Sequence, residues 1–535
     1  MPIPRDSGTM HDAGILGENP ALRVSSGGRQ HTQARELLHT AREQADEVSV
    51  AEVGSTGLVT LEPLVMATLD GETAFFSRCS VDRLRTVVED LDDGTLSTDE
   101  ALAVAEHDPE TTALPIPEET PIAVGERTVL SACGWASPLS LDDRQTIGEY
   151  VCPDVDEDDE SVAALQEANL RGRGRGDGTT DEPVAEHWAT ARDTEGDAAV
   201  VVNANEADPN ADMDRLLLES DPFSVLDAAL ATANAVGATN VVVYTGKGDS
   251  LARDRVSAAA SALAEELDDL PPVEVLAGPD EYMAGEMTMA IEALEGNHRI
   301  EARLRPPYPS QEGLYGRPTL VHTPRTLVQV GAVLRAAASD AEPTVAASSD
   351  PGTRLFTVAS DVDAPATIEL STDDDLSTAR EAVEFDGHLK AACIGGQFGG
   401  LSRTLDVPAR ANALIAAGLG TNGVVELLGE DQCMVSFAGN RAKFAKDENC
   451  GRCVPCREGS TQLVEILRDV YDGEYRSEKL RELLRVMGDT SICQFGQTAP
   501  RPVLTAMDEF EPEFRAHADG RCPTGACERQ KVTQT

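Results

Sequence analysis

Four cysteines near the end of the chain set the tightest constraint on what it can fold into. Cys450-Gly-Arg-Cys453-Val-Pro-Cys456 is a C-x2-C-x2-C run, and Cys493 follows in Thr490-Ser-Ile-Cys493-Gln-Phe-Gly496. Three thiols at this spacing converge from one short loop, and a remote fourth closes a tetrahedral set, the ligand pattern of a [4Fe–4S] cluster. The alternatives are a structural zinc site, which more often shows two separated C-x2-C pairs, and four free thiols. The three-plus-one spacing favours iron. A helix predicted over 460–472 would turn its N-terminal amides toward the cluster, and Arg452 and Arg457 add positive charge beside it.

Six of the eleven cysteines (Cys450, Cys453, Cys456, Cys493, Cys522 and Cys527) fall after residue 449. Such clustering in a chain without a secretory signal points to metal rather than disulfides. Cys79, Cys133, Cys152, Cys393 and Cys433 stand alone and read as small buried hydrophobes. Cys522-Pro-Thr-Gly-Ala-Cys527 reads as an unliganded remnant, with a surface disulfide or a zinc contact as the other possibilities.

The chain has 94 acidic residues against 44 lysines and arginines, a net charge of −50, and only six of the basic residues are lysine. A surface of this kind repels nucleic acid and anionic lipid. It suits a halophile's concentrated-salt cytoplasm, where charges are screened within a few ångströms. No run approaches the roughly 18 apolar residues of a membrane span. The N-terminus lacks an apolar secretory core, so the reading is a cytoplasmic protein that meets a membrane only through a partner complex.

At 535 residues the chain needs several cores. Residues 1–21 read as a disordered tail and 22–94 as a thioredoxin-like domain, with helices at 32–45 and 81–91 and strands at 48–53, 64–69 and 73–76. An acidic linker spans 95–125. Residues 126–335 alternate strand, turn and helix as an α/β domain, with strands at 128–132, 198–202, 240–244 and 273–276. A small β-grasp domain of the soluble-ligand-binding type is expected over 336–408 and a helical bundle carrying the cysteine motif over 409–520. A tail over 521–535 ends the chain.

The segments around the cysteine motif resemble the NADH-binding flavoprotein of respiratory complex I (its F subunit) and the corresponding subunits of NAD-linked hydrogenases and formate dehydrogenases. The likeness is closest in Glu430–Met434 and Phe444–Gly459, continues in Ser491–Ala499, and includes Gly313-Leu-Tyr-Gly-Arg-Pro-Thr319. It implies FMN, NADH as hydride donor, and single electrons passed through the cluster to other redox subunits. It also implies cofactor contacts from Gly172, Arg173, Gly174 and Gly176 of the Gly-rich loop. Further contacts would come from Asn203, Asn205 and Glu206, from Tyr282, Gly285 and Glu286, and from His322, Thr323 and Thr326. Hydride chemistry would belong to the flavin, and no nucleophile–histidine–carboxylate arrangement is present to suggest another reaction.

The chain departs from the family pattern at several of these positions. The aromatic–Pro–Thr–Gly run with its lysine reads Gly178-Thr-Thr-Asp-Glu-Pro183, and the lysine before Asp214-Arg215 is Met213. The second glutamate after Gly285 is Met287, the paired asparagines are His322 and Thr323, and the following glutamate is Arg325. Val53–Thr60 lacks the cysteines of the relatives' [2Fe–2S] site, so no such cluster is expected. Two functions follow: an NADH dehydrogenase subunit passing electrons to a quinone-type or soluble acceptor, or a non-catalytic single-cluster relay or assembly subunit with a degenerate pocket.

Overall fold

Short β-branched and aromatic runs, each bounded by a turn, build the first sheet. The computed structural model describes residues 14–27, 31–155, 160–338 and 350–527. Strands β1 (Ala21–Ser25), β2 (Ser49–Val53), β3 (Val65–Leu69), β4 (Glu72–Phe76) and β5 (Ala103–Glu106) pair in the order β2-β1-β3-β4-β5. β1 and β2 are parallel and the other neighbours antiparallel. The parallel pair needs a crossover, which the helix His31–Gln44 supplies. The helix Val81–Asp92, capped by Ser80 accepting from the Arg83 N–H, joins it in a core containing Leu37, Leu84 and Val88.

Two expectations for this end of the chain are corrected. Residues 14–20 do not belong to a tail: Ile15 is buried, and the Ile15 and Leu16 N–H groups donate to Asp143 Oδ1 at 2.7 and 3.0 Å. Residues 1–13 lie outside the described residues. The stretch 95–125 is not a free linker, because it supplies β5 and buries Leu114 and Ile122.

Residues 128–132 form turns rather than the predicted strand. Their amides have a partner other than a sheet neighbour: the Val129 and Leu130 N–H groups donate to the Glu369 carboxylate at 2.9 to 3.1 Å. The second sheet holds β6 (Ala198–Ala204), β7 (Ala238–Gly246), β8 (Val273–Gly278) and β9 (Thr319–His322), all parallel in the order β8-β7-β6-β9. β6 is buried throughout, as its apolar run AAVVV requires of a strand covered on both faces. An open parallel sheet collects its functional residues beyond the carboxyl ends of its strands. Here those ends deliver Asn203 in the last pleat of β6 and Asn205 just after it, Tyr282 after β8 and His322 and Thr323 at β9.

The third sheet holds β10 (Thr353–Ser360), β11 (Ala366–Ser371), β12 (Leu389–Ile394), β13 (Gly400–Ser402) and β14 (Val424–Gly429), in the order β11-β10-β14-β12-β13. The predicted limits of this unit are both moved. Residue 335 falls inside the helix Pro324–Ala338, and β14, beyond the predicted end at 408, is the central strand. The segment 376–382 is a short 3-10 helix. The helix Ala411–Ala416 packs its Leu414 into the core of the third sheet, and Met434–Asp447, Val454–Tyr471, Ser477–Thr490 and Arg501–Ala518 then form the C-terminal layer around Leu463, Leu480, Met507 and Phe514.

Close backbone contacts and buried arginines join the units. Gly57 has φ +91° and a Cβ there would stand 2.4 Å from the Thr367 carbonyl oxygen, where Leu58 bridges to Ala366. Gly57→Ala is expected to destabilise the protein by more than about 1 kcal/mol, read as a lowered urea midpoint; an unchanged midpoint would show that the two units separate without cost. Arg255 donates to the Ser26 and Glu219 carbonyls and pairs with Glu52 at 2.6 Å, tying the second unit to the first.

Candidate metal centre and nucleotide cleft

The cluster loop is bounded by two helices. Met434–Asp447 ends just before it, and Val454–Tyr471 starts inside it, earlier than the predicted residue 460, with Cys453 as its N-cap. Pro455 in the first turn has no N–H to leave unpaired, and Cys456 follows it into that turn. Cys493 is the N-cap of a second short helix, Gln494–Thr498. Two helix starts, with free amides, therefore face the thiols. Burial pushes the Cys456 thiol up, reinforced by Cys453, Cys493 and Cys450 beside it; burial, and then Glu286, push Cys493 up to about 12.

A Cβ on Gly496 would lie 3.0 Å from that of Cys456, so glycine at this position lets the second helix start close on the first. Arg452 donates to the Ala302 carbonyl at 2.6 Å and Arg457 to that of Gly451 at 2.8 Å, so both guanidiniums brace the loop's backbone. The four thiols, two helix starts and flanking cations fit the donor chemistry of a [4Fe–4S] cluster.

Aromatic side chains lead from the cysteines to the cleft at the end of the parallel sheet. Phe495, next to Cys493, packs edge-on against Phe398 at 4.8 Å and Tyr282 at 5.9 Å, and Phe444 closes the group. Arg175 lies over the Tyr282 ring at 3.9 Å and donates to the Tyr282 carbonyl. Glu286 caps the helix Met287–Leu294 through Oε2, while its Oε1 is buried and has no partner among the described residues.

The cleft gathers several of the residues named from the sequence. Gly176, Asn203, Asn205, Glu206, Gly285 and Thr323 line one cavity together with Arg175, Asp214, Arg325 and Asn422. Asn203 donates to the carbonyls of Gly176 and Gly285, fixing the loop above β6. His322 faces the Gly-rich loop instead. Trp188 Nε1 donates to its Nε2 at 3.0 Å, so Nδ1 carries the proton and donates to Asp177. Thr323 and Thr326 hold the backbone of Arg173. The Arg173 side chain is buried and pairs with Asp350 at 2.6 Å and the Pro351 carbonyl. Gly172 and Gly174 pack on Thr179 and on Arg325 respectively. Tyr282 lines a neighbouring cavity.

Arg325 dominates the cleft. Its side chain is 5% exposed and forms ion pairs with Asp214 at 2.7 Å and Glu206 at 2.9 Å, while Nη1 donates to the Asn422 carbonyl at 3.0 Å. The family's lysine is replaced here by Met213, whose Sδ lies 3.0 Å from the same guanidinium. Burial, then the neighbouring Asp214, push the Glu206 carboxyl up to about 8, against the pull of Arg325. The cavity that remains measures about 20 Å³, and the one beside Tyr282 about 60 Å³. Sites for ligands of flavin size run from about 300 Å³ upward. With Arg325 in this position, the cleft stands filled by the side chains that line it.

An FMN-domain cleft on a parallel sheet, joined by aromatics to a cluster-type cysteine set, is the layout of an iron–sulfur oxidoreductase subunit. Residues 165–332 match the Nuo51 FMN-binding domain, and residues 436–517 match the NADH-ubiquinone oxidoreductase-F iron–sulfur binding region. The NADP-reducing hydrogenase subunit HndC of Solidesulfovibrio fructosivorans is 32% identical over 433 residues, 74% of this chain and 84% of that one. NADH-quinone oxidoreductase F subunit 2 of Rhizobium meliloti is 31% identical over 71% of this chain and 92% of its own. The chain belongs to the F-subunit family of NADH-quinone oxidoreductases and related hydrogenases. Its fold is also that of a subunit in the air-oxidised NAD+-reducing [NiFe]-hydrogenase, with TM-score 0.64 at 22% identity over 96% of this chain and 89% of that one.

Arg175, Asp214 and Asn422 were not among the predicted contacts. Arg175 sits inside the Gly-rich run and Asp214 follows Glu206 by eight residues, so their neighbours already pointed there. Asn422 comes from the turn before β14 and carried no signal beyond an Asn–Gly pair.

Proposed function

We propose that this chain is an electron-transfer subunit of a nicotinamide-linked oxidoreductase complex, moving single electrons through one [4Fe–4S] cluster held by Cys450, Cys453, Cys456 and Cys493. The observation that carries this reading is the convergence of those four thiols at two helix starts, in a core continuous with the domain cleft. A bound cluster supplies one-electron transfer. The chain's own contribution is to hold it in an apolar setting of Phe444, Phe495 and Tyr282 and to brace the loop through Arg452 and Arg457. The relatives are subunits of an NADP-reducing hydrogenase and of NADH-quinone oxidoreductases, so the partners are other redox subunits and the ultimate donor is a nicotinamide nucleotide. Among the described residues, no helix is long and apolar enough to cross a membrane.

The flavin half of the family's activity is where this chain's residues depart from the family pattern, at Met213, Met287, His322, Thr323 and Arg325. The Arg325 ion pairs favour a second, narrower reading, in which the subunit relays electrons between partners while its nucleotide cleft has become part of the protein's core. Close packing also supports the thioredoxin-like unit as a packing domain: its Gly54, in the segment lacking cysteines, lies so close to Ser220 that a Cβ would stand 2.4 Å from the Ser220 Cα.

Anaerobic purification in high salt, followed by assays of iron, sulfide and released flavin, tests both readings. About four irons and no flavin, even after incubation with FMN, is the result expected of the relay. Four irons with one FMN would restore the NADH dehydrogenase reading, and a chain without iron would overturn both. The halophilic reading is tested on the same sample. The thermal midpoint is expected to rise as KCl goes from about 0.2 to 2 M, because screening shortens with salt; a flat response would reject it.

A further inference from the structure

The most developed group of potential ligands outside the cluster lies at the opposite end of the same helices. Cys433, His517, Cys522 and Cys527 bring three sulfurs and one ring nitrogen within 4.8 Å of one another. Cys433 Sγ stands 3.4 Å from His517 Nε2 and 3.5 Å from Cys527 Sγ, and Cys527 Sγ stands 3.5 Å from the same Nε2. A tetrahedral zinc with Zn–S near 2.3 Å and Zn–N near 2.0–2.1 Å places its ligand atoms about 3.5–3.8 Å apart. Cys433, His517 and Cys527 are therefore already at coordination spacing, and Cys522 lies within 4.8 Å of them. The three cysteines are free thiols, with the Cys433 and Cys527 sulfurs at 3.5 Å against about 2.05 Å in a disulfide.

The histidine is prepared for the role. Its Nδ1 lies 2.7 Å from the Glu513 carbonyl, which can only accept, so Nδ1 carries the proton and the Nε2 lone pair faces the sulfurs. That second hydrogen bond is the usual device for fixing a metal-binding imidazole. Cys433 and His517 are buried, the former as the N-cap of Met434–Asp447 and the latter in the last turn of Arg501–Ala518. Cys522 and Cys527 arrive on the tight loop that follows, turned by Gly520 and Gly525 at φ +77° and +68°. Three soft thiols and an imidazole, with no open position, suit zinc held as a structural ion.

We propose that Cys433, His517, Cys522 and Cys527 form a closed zinc site that pins the C-terminal loop to the far ends of the cluster-bearing helices. Met434–Asp447 begins at this site and ends at the cluster loop. Val454–Tyr471 begins in the cluster loop and ends here, with the Tyr471 hydroxyl 3.7 Å from Cys527 Sγ. At about 1.5 Å per residue, the two metal centres sit on the order of 25 Å apart, so zinc takes no part in electron transfer. Coordination releases the thiol protons to solvent and changes no oxidation state. Cys433, expected to stand alone, has His517 and Cys527 beside it.

The test is metal analysis of the full chain expressed with zinc supplied. About one zinc per chain is expected beside the cluster iron. Cys522→Ser/Cys527→Ser should lose the zinc and keep its iron as purified, whereas Cys456→Ser should lose iron and keep zinc. In that iron-poor variant, cobalt exchanged for zinc should show the ligand-field bands of a tetrahedral thiolate site. Zinc below about a tenth per chain after reconstitution, zinc unchanged in the double variant, iron in place of zinc, or a disulfide among these cysteines under anaerobic alkylation would each overturn the proposal.

Discussion

Cys456→Ser is expected to abolish cluster binding, with loss of nearly all bound iron and of the visible absorption. Serine keeps the shape of the position but replaces a soft thiolate with a hard hydroxyl, and three remaining thiols leave one iron without its protein ligand. Cys456 is also 6% exposed, so water cannot readily take the missing place. Because Cys453 and Cys493 stand at the N-cap positions of the two helices that meet there, the metal would tie those helix starts together, and the effect of its loss extends beyond the metal. The C-terminal helices should become susceptible to proteolysis near residues 448–453 before the rest of the chain. Iron and sulfide assays on anaerobic protein measure the first effect and limited proteolysis the second. Full iron with an unchanged spectrum would remove Cys456 from the ligand set.

The other large effect is expected at Arg325. Arg325→Met should destabilise folding by about 3–5 kcal/mol, the penalty typical of breaking a buried ion pair by deleting one partner. The deletion leaves Glu206 and Asp214 facing each other without the cation that separates them. The pH dependence follows from Glu206. Its folded pKa is raised above the ordinary carboxylate value, so between about 4.5 and about 8 the native state binds more protons than the unfolded one. Stability at this site is therefore fullest at the low end of that window and falls as pH rises through it. Without Arg325, which pulls this carboxyl down, the fall should continue to higher pH. Urea unfolding at several pH values and constant salt measures both; a loss below about 1 kcal/mol would show that the arginine is dispensable to the fold. Combining Arg325→Glu with Met213→Lys reinstates the family's pair of charges, and this double variant should recover both stability and room in the cleft.

The parts of this molecule that could be read without coordinates are those in which chemistry imposes local spacing. Cys450, Cys453 and Cys456 are neighbours in the chain, and only the return of Cys493 needed the fold. The helices at 31–44 and 81–92 and strands β6 to β8 followed from periodicity, because each is long or uniformly apolar. β14 was missed because its central place in the third sheet comes from pairing with β10 and β12, both distant in sequence. In the cleft, the location was legible from the Gly-rich loop and from Asn203 after a buried strand. The state of the cleft was not, since the letter at position 325 does not say whether a guanidinium points to solvent or inward. Cys433 looked solitary because its partners lie 84 and 94 residues downstream.

The inward placement of arginine has a consequence for how the molecule behaves as a particle. Arg23, Arg144, Arg173, Arg255, Arg325, Arg354 and Arg441 are all buried, several in ion pairs that consume an acidic group each. The outer shell still carries arginines such as Arg481, Arg485 and Arg515, but anions outnumber them widely, as the net charge of −50 requires. In dilute buffer its field reaches about 10 Å at 0.1 M and shrinks to about 3 Å at 1 M. Two such shells approach only when that cloud is thin, so subunit encounter should behave like salt-induced coagulation of a like-charged colloid: slow at low ionic strength and quick in brine.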